Sequence, residues 1–98
     1  MITLPKVTIE LSYPIIIDGT EVSALQMRRP KVVDTVLFQK SQGSDADKEI
    51  NLFANLCEIA PDDIQQLDMM DYAKLQTQYG NFIAPEPPKE TSDESAQK

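Results

Sequence analysis

Asp18-Gly19 constrains this chain more than any other pair of residues. A two-residue loop between strands needs positive φ at both positions, and Asp-Gly is one of the few pairs that adopt it at little cost. Ahead of it, "KVTIEL" alternates, with Val7, Ile9 and Leu11 on one side and Lys6, Thr8 and Glu10 on the other. That is the period of a half-buried strand. The combination predicts a β-hairpin with strands over 6–17 and 20–28. Pairing counted back from the turn without interruption sets Leu11 opposite Gln26 and Glu10 opposite Met27, which mixes polar and apolar on each face. One extra residue near Tyr13-Pro14 would instead set Leu11 against Leu25 and Ile9 against Met27. Pro14 cannot donate to a ladder and suits a bulge, so a one-residue bulge is expected there.

Helical patterns follow. Pro30 stops the second strand and suits the first turn of a helix. Val33, Val36, Leu37 and Lys40 then recur at helical spacing, with Val32 beside them. Ser44 with Asp47 three residues on forms a weak capping box for a helix over 45–60. Its apolar positions (Ile50, Leu52, Phe53, Ala54, Leu56, Cys57 and Ile59) wrap more than half its surface, so it is either the centre of the core or partly an interface. Pro61 starts a new turn. Asp68 reads as an N-cap with Asp71 at N3, and Leu67 and Tyr72 have the spacing of a hydrophobic staple. The helix that follows places Tyr72, Leu75 and Tyr79 on one face. Gly80 is expected to stop it in a left-handed conformation, with Phe82 folding back. The expected class is α+β: an N-terminal β-hairpin, three short α-helices and a C-terminal tail. The domain is expected over 1–83. The segment 84–98, "APEPPKETSDESAQK", is proline-rich and acidic and has no large apolar side chain, so it is expected to be disordered.

Charge excludes some function classes. The net charge is -7 over 98 residues. Residues 1–40 hold five Lys/Arg against four Asp/Glu, and residues 41–98 four against twelve. An acidic chain with no basic stripe argues against nucleic acid. No apolar run reaches the roughly 20 residues of a membrane span, and "MITLPKVTIELSYP" lacks the layout of a signal peptide. A single Cys57 suits a reducing cytoplasm.

Catalytic and metal candidates are weak. There is no histidine, and one cysteine without a histidine partner is no nucleophile signature. Cys57, among Phe53, Leu56 and Ile59, reads as a small core residue. Asp62, Asp63, Asp68 and Asp71 fit helix capping better than a metal loop, which would need ligands at alternate positions and a central glycine. Gly19, Gly43 and Gly80 stand apart, so no loop cradles a phosphate. No cofactor is expected. Met69 and Met70 are expected to pack in the core rather than to form a binding surface.

The stretch "LQMRRPKV" holds the only arginines. By alternation Arg28 and Arg29 point to opposite faces. Arg29 follows the apolar side of Met27, so it is expected to lay its stem over the core edge and reach Asp34. Arg28 is expected to be freer and available to a partner; the alternative is that both are ordinary charges at a strand end, pairing with Glu10, Glu21 or Asp34. Arg28, Leu52, Leu56 and Ile59 are the candidate partner-binding residues.

The order of these motifs resembles that in the small tail assembly chaperones of Mu-like and related contractile-tailed phages and prophages. Over roughly residues 9 to 82 the chain carries "L-x-x-P-I", "DG-x-E-V", "L-x-x-R-x-P", "A-x-L-x-x-I-x-P-x-D-I" and "L-D-x-x-D-Y". The resemblance implies a non-enzymatic chaperone with no catalytic residue. It implies binding to the long, helical tape measure protein, which is kept soluble in the host cytoplasm until the tube polymerises around it, and absence from the mature virion. It admits the tail tube protein as a second partner, and a frameshifted longer product that would part from this one near Ala84. The small core leaves self-association open. A structural tail component and a regulatory adaptor are the alternative readings.

Overall fold

The computed structural model describes residues 6–84. Strands β1 (Lys6–Ile17) and β2 (Thr20–Arg28) form a two-stranded antiparallel sheet. Helices α1 (Val32–Lys40), α2 (Asp45–Cys57), α3 (Pro61–Ile64) and α4 (Met69–Ile83) follow. The architecture is the expected α+β hairpin-then-helices. The turn at Pro61 is regular enough to be a helix, so the described residues hold four rather than three. The acidic segment expected to begin at Ala84 lies, beyond Ala84 itself, outside the described residues.

The turn is as the sequence requires, with φ at 51° for Asp18 and 78° for Gly19. The register differs from expectation. Ile15 pairs with Val22, and the next pairs are Glu10 with Ala24, Ile9 with Leu25 and Val7 with Met27. Leu11–Pro14 thus oppose Ser23 alone, an excursion of three extra residues instead of one. The physical reason lies outside the sheet. An excursion this long leaves amides without ladder partners, and a buried unpaired amide is costly. Here the Asp71 carboxylate of α4 accepts from the Ser12 amide at 2.9 Å and the Tyr13 amide at 3.0 Å. Lys74 donates to the Glu10 carbonyl at 2.9 Å and the Ser12 hydroxyl at 3.1 Å. Pro14 has no amide to satisfy. Further along β1, the Gln66 side-chain amide accepts from the Ile16 N–H and donates to its carbonyl, as a neighbouring strand would.

The core joins Ile9, Leu11, Ile15, Leu25 and Met27 of the hairpin to Phe53, Ala54, Leu56 and Cys57 of α2, with Ile64 and Leu75. The ring of Phe53 packs at 5.6 Å from that of Tyr72 and 5.8 Å from that of Tyr79. Helix α2 is therefore central to the core, which accounts for its wide apolar face. Ser44 and Asp47 cap it reciprocally. It closes at Glu58, a non-glycine residue at φ 60°.

Two expectations about α4 fail. Gly80 does not stop it, and the helix continues to Ile83. Tyr79 and Phe82 both pack on the core. Keeping an aromatic buried is worth about 1.5–3 kcal/mol, more than the roughly 1 kcal/mol a helical glycine costs. Met69 and Met70 are not core residues but exposed, at 75% and 56%. The face of Asp71, Tyr72 and Leu75 turns inward, and at about 100° per residue Met70 falls opposite it.

Candidate partner-binding surface

Helix α1 buries only one of its side chains, and that side chain is charged. Asp34 sits at its third position and accepts from the Lys31 amide at 2.6 Å. This bond makes Lys31 the N-cap, so Pro30 lies before the cap and not in the first turn. The Arg28 guanidinium grips the same carboxylate with both terminal nitrogens at 2.9 Å, and Asn55 of α2 donates to it at 2.9 Å. The Arg28 hydrogen bonds lead in holding the carboxyl below the ordinary aspartate range, against the opposing effect of burial. Asp34 is thus a clasp joining the end of β2, the start of α1 and the last turn of α2.

The contact with Asp34 falls to the other arginine than expected, while Arg29 keeps the packing at the core edge. Arg28 reaches Asp34. Arg29 instead lies over the Phe82 ring, 5.1 Å from its centre, and donates to the Phe82 carbonyl at 3.2 Å. Alternation governs side chains only within a strand, and β2 ends at Arg28. The direction of Arg29 is set by the turn into α1 and not by the side on which Met27 lies.

Outside the clasp, α1 presents an apolar ridge. Val32, Val33, Val36 and Leu37 are all exposed, Val32 at 82%. Lys40 shares their face, four residues after Val36 and three after Leu37. Between α1 and α2 runs a groove of about 280 Å³ lined by Thr35, Phe38, Gln39, Glu49, Leu52 and Phe53, closed by Tyr79.

Of the residues selected from sequence, Leu52 lines this groove. Leu56 has no accessible surface, and Ile59, past the end of α2, is half-buried against the core. Arg28 is connected to α2 through Asp34 and Asn55. The ridge on α1 was not selected. Its signal was present in the spacing of Val33, Val36, Leu37 and Lys40, since a lysine on the apolar face marks that face as reaching solvent.

Titratable groups elsewhere are tied down. Burial pushes the Cys57 thiol up to about 12, which keeps it protonated. Burial and then Glu49, which accepts from the Tyr72 hydroxyl at 2.6 Å, raise the Tyr72 phenol. Among the described residues no group of three or more His, Cys, Asp or Glu could hold a metal ion. No helix among them is long and apolar enough to cross a membrane.

Residues 8–84 match a family model described as "phage tail assembly chaperone proteins, E, or 41 or 14". No curated protein and no solved structure matches this chain.

Proposed function

The chain belongs to the phage tail assembly chaperone family, and from that premise we propose that it binds the tape measure protein and keeps it soluble while the tail is built. The role is non-enzymatic. It is carried out in the cytoplasm of the bacterial host, and the protein is released before the virion is complete. The tail tube protein is a second candidate partner.

The observation that carries this reading is the exposed ridge of Val32, Val33, Val36 and Leu37. A tape measure protein is long and helical, and its bare apolar stripes would aggregate. A chaperone for it needs an apolar surface that a helix can lie on. In this reading α1 supplies the ridge, Leu52 and Phe38 the groove beside it, and Arg28 acts indirectly by holding α1 in place. Leu56 and Ile59 support the interface from the core. The net charge of -7, with the acidic segment 84–98, keeps the complex in solution.

Co-expression with the tape measure protein of the same phage tests this. The tape measure protein should be soluble and co-purify with the chain. Val36→Asp should send it to the insoluble fraction while the chain itself stays folded. A tape measure protein equally soluble with and without the chain would end the proposal.

A further inference from the structure

The charges around α1 define what the ridge accepts. The described residues include seven Lys/Arg. Lys6, Arg28 and Lys74 form ion pairs, whereas Arg29, Lys31, Lys40 and Lys48 have no ion-pair partner among the described residues. Three of those four bracket α1. Arg29 and Lys31 precede its first turn, and Lys40 ends it on the ridge face itself. The one acid of the helix, Asp34, is buried and already paired with Arg28. In a chain with 16 Asp/Glu against nine Lys/Arg, the exposed apolar helix is thus bordered by cations without an ion-pair partner among the described residues and by no acid of its own, while Glu49 in the groove beside it is engaged by Tyr72 and Gln76.

Resting on the reading of α1 as the binding face, we infer that its occupant is an amphipathic helix whose apolar stripe is bracketed by carboxylates. Lys31 and Lys40 are nine residues apart, about 13.5 Å along the helix at roughly 1.5 Å per residue. The nearest spacing that keeps two acids on one face of a partner helix is i and i+7 or i+8, about two turns. Complementary rims of this kind fix register and reject wrong partners more than they add raw affinity. A second copy of the chain is disfavoured as the occupant, because α1 against α1 would set cations against cations.

Two fluorescent helical peptides with the same Leu/Ile stripe, one carrying Glu at the bracketing positions and one carrying Lys, test the inference on the full chain. The Glu peptide should bind about tenfold tighter than the Lys peptide at low salt, and the gap should close as salt screens the rim. Amide NMR shifts should map to α1. The double variant Lys31→Glu/Lys40→Glu, both surface positions, should invert the preference. Equal binding of the two peptides, or a preference that survives the reversal, would overturn the inference. It would also fall if the Glu peptide bound only after residues 1–5 were deleted, since those residues would then be the occupant. A dimer that Val36→Asp converts to monomer would make a second copy the occupant and refute it likewise. The two proposals fail separately: a tape measure protein still recovered with the charge-reversed variant spares the function and removes the rim. An intact peptide preference without tape measure binding does the opposite.

Discussion

Helices α1 and α4 each carry an aspartate at their third position, Asp34 and Asp71, and each aspartate is buried. Both carboxylates turn back from their helix to hold a segment of chain next to the sheet. Asp34 grips Arg28 at the end of β2, and Asp71 grips the amides of Ser12 and Tyr13 at the break in β1. Beyond the anchor the helices diverge. Helix α4 adds Leu75, fully buried, with Tyr72, Tyr79 and Phe82 packed on the core. Helix α1 adds nothing fully buried and leaves four aliphatic side chains exposed. A charged clasp can therefore position a helix without fully burying any of its apolar side chains, and its apolar side stays exposed. The packed helix belongs to the fold, and the clasped one carries the surface proposed to meet a partner.

Removing Asp71 should have the largest effect. Asp71→Ala leaves the Ser12 and Tyr13 amides without their acceptor and the Lys74 ammonium without its carboxylate partner. Breaking a buried charged network of this kind costs about 3 kcal/mol. Urea denaturation should show that loss as a shift of one cooperative transition. A midpoint within error of the wild type would mean that the break in β1 does not depend on α4.

The matching change at the other clasp should cost less and act locally. Asp34→Ala strands Arg28 and Asn55, but the Arg28 side chain is 24% exposed and can turn to water. About 2 kcal/mol is expected, mostly as loosening of α1. Hydrogen exchange should show α1 amides losing protection while those of α2 and α4 keep theirs. Uniform loss of protection across all helices would erase the distinction between clasped and packed.

Acid sharpens the comparison further. For Asp71, burial works against the charge, but the two amides and Lys74 outweigh it, so its pKa lies below the ordinary value, as does that of Asp34. Both folded-state values are thus below the unfolded value of about 3.9. The stability they contribute is complete above about pH 4 and is lost as pH falls through the folded values. Stability measured from about pH 5 to about pH 2 should decline less steeply in Asp34→Asn and Asp71→Asn than in the wild type. An unchanged acid limb in both variants would show that neither carboxylate is held by its partners.

The parts of this fold legible in the sequence were those fixed by local chemistry. Asp18-Gly19 located the turn, Ser44 and Asp47 the start of α2, and Asp68 the start of α4, because each depends on neighbours within a few residues. Alternation and helical spacing likewise identified most of the core. What stayed hidden rests on long-range partners. The length of the break in β1 depends on Asp71, more than 50 residues away. The continuation of α4 through Gly80 depends on tertiary burial of Phe82. Which of Arg28 and Arg29 reaches Asp34 depends on where β2 ends. The candidate surface was the least legible part. An apolar stripe predicts that a helix face will be covered, but not whether the covering surface belongs to the same chain; the face of α2 is covered by its own chain, and the ridge of α1 is left exposed.

The smallest effect on stability is expected where the effect on binding should be large. Val36 lies on the ridge of α1 and is exposed, so truncating it removes little packing and opens no cavity. Alanine has a higher helix propensity than valine by about 0.5 kcal/mol. Val36→Ala should therefore leave the free protein unchanged or raise its stability by up to about 0.5 kcal/mol. Leu75→Ala, the corresponding truncation on α4, should cost about 3 kcal/mol because its side chain is fully enclosed. Thermal unfolding of the two variants reads the contrast directly. The complex should rank them in reverse: Val36→Ala removes a contact made only with the partner, whereas Leu75→Ala weakens the complex only as far as the fold is lost. If Val36→Ala destabilised the free chain by more than about 1 kcal/mol, the ridge would be packed against part of this chain, and α1 would join α4 as a structural helix.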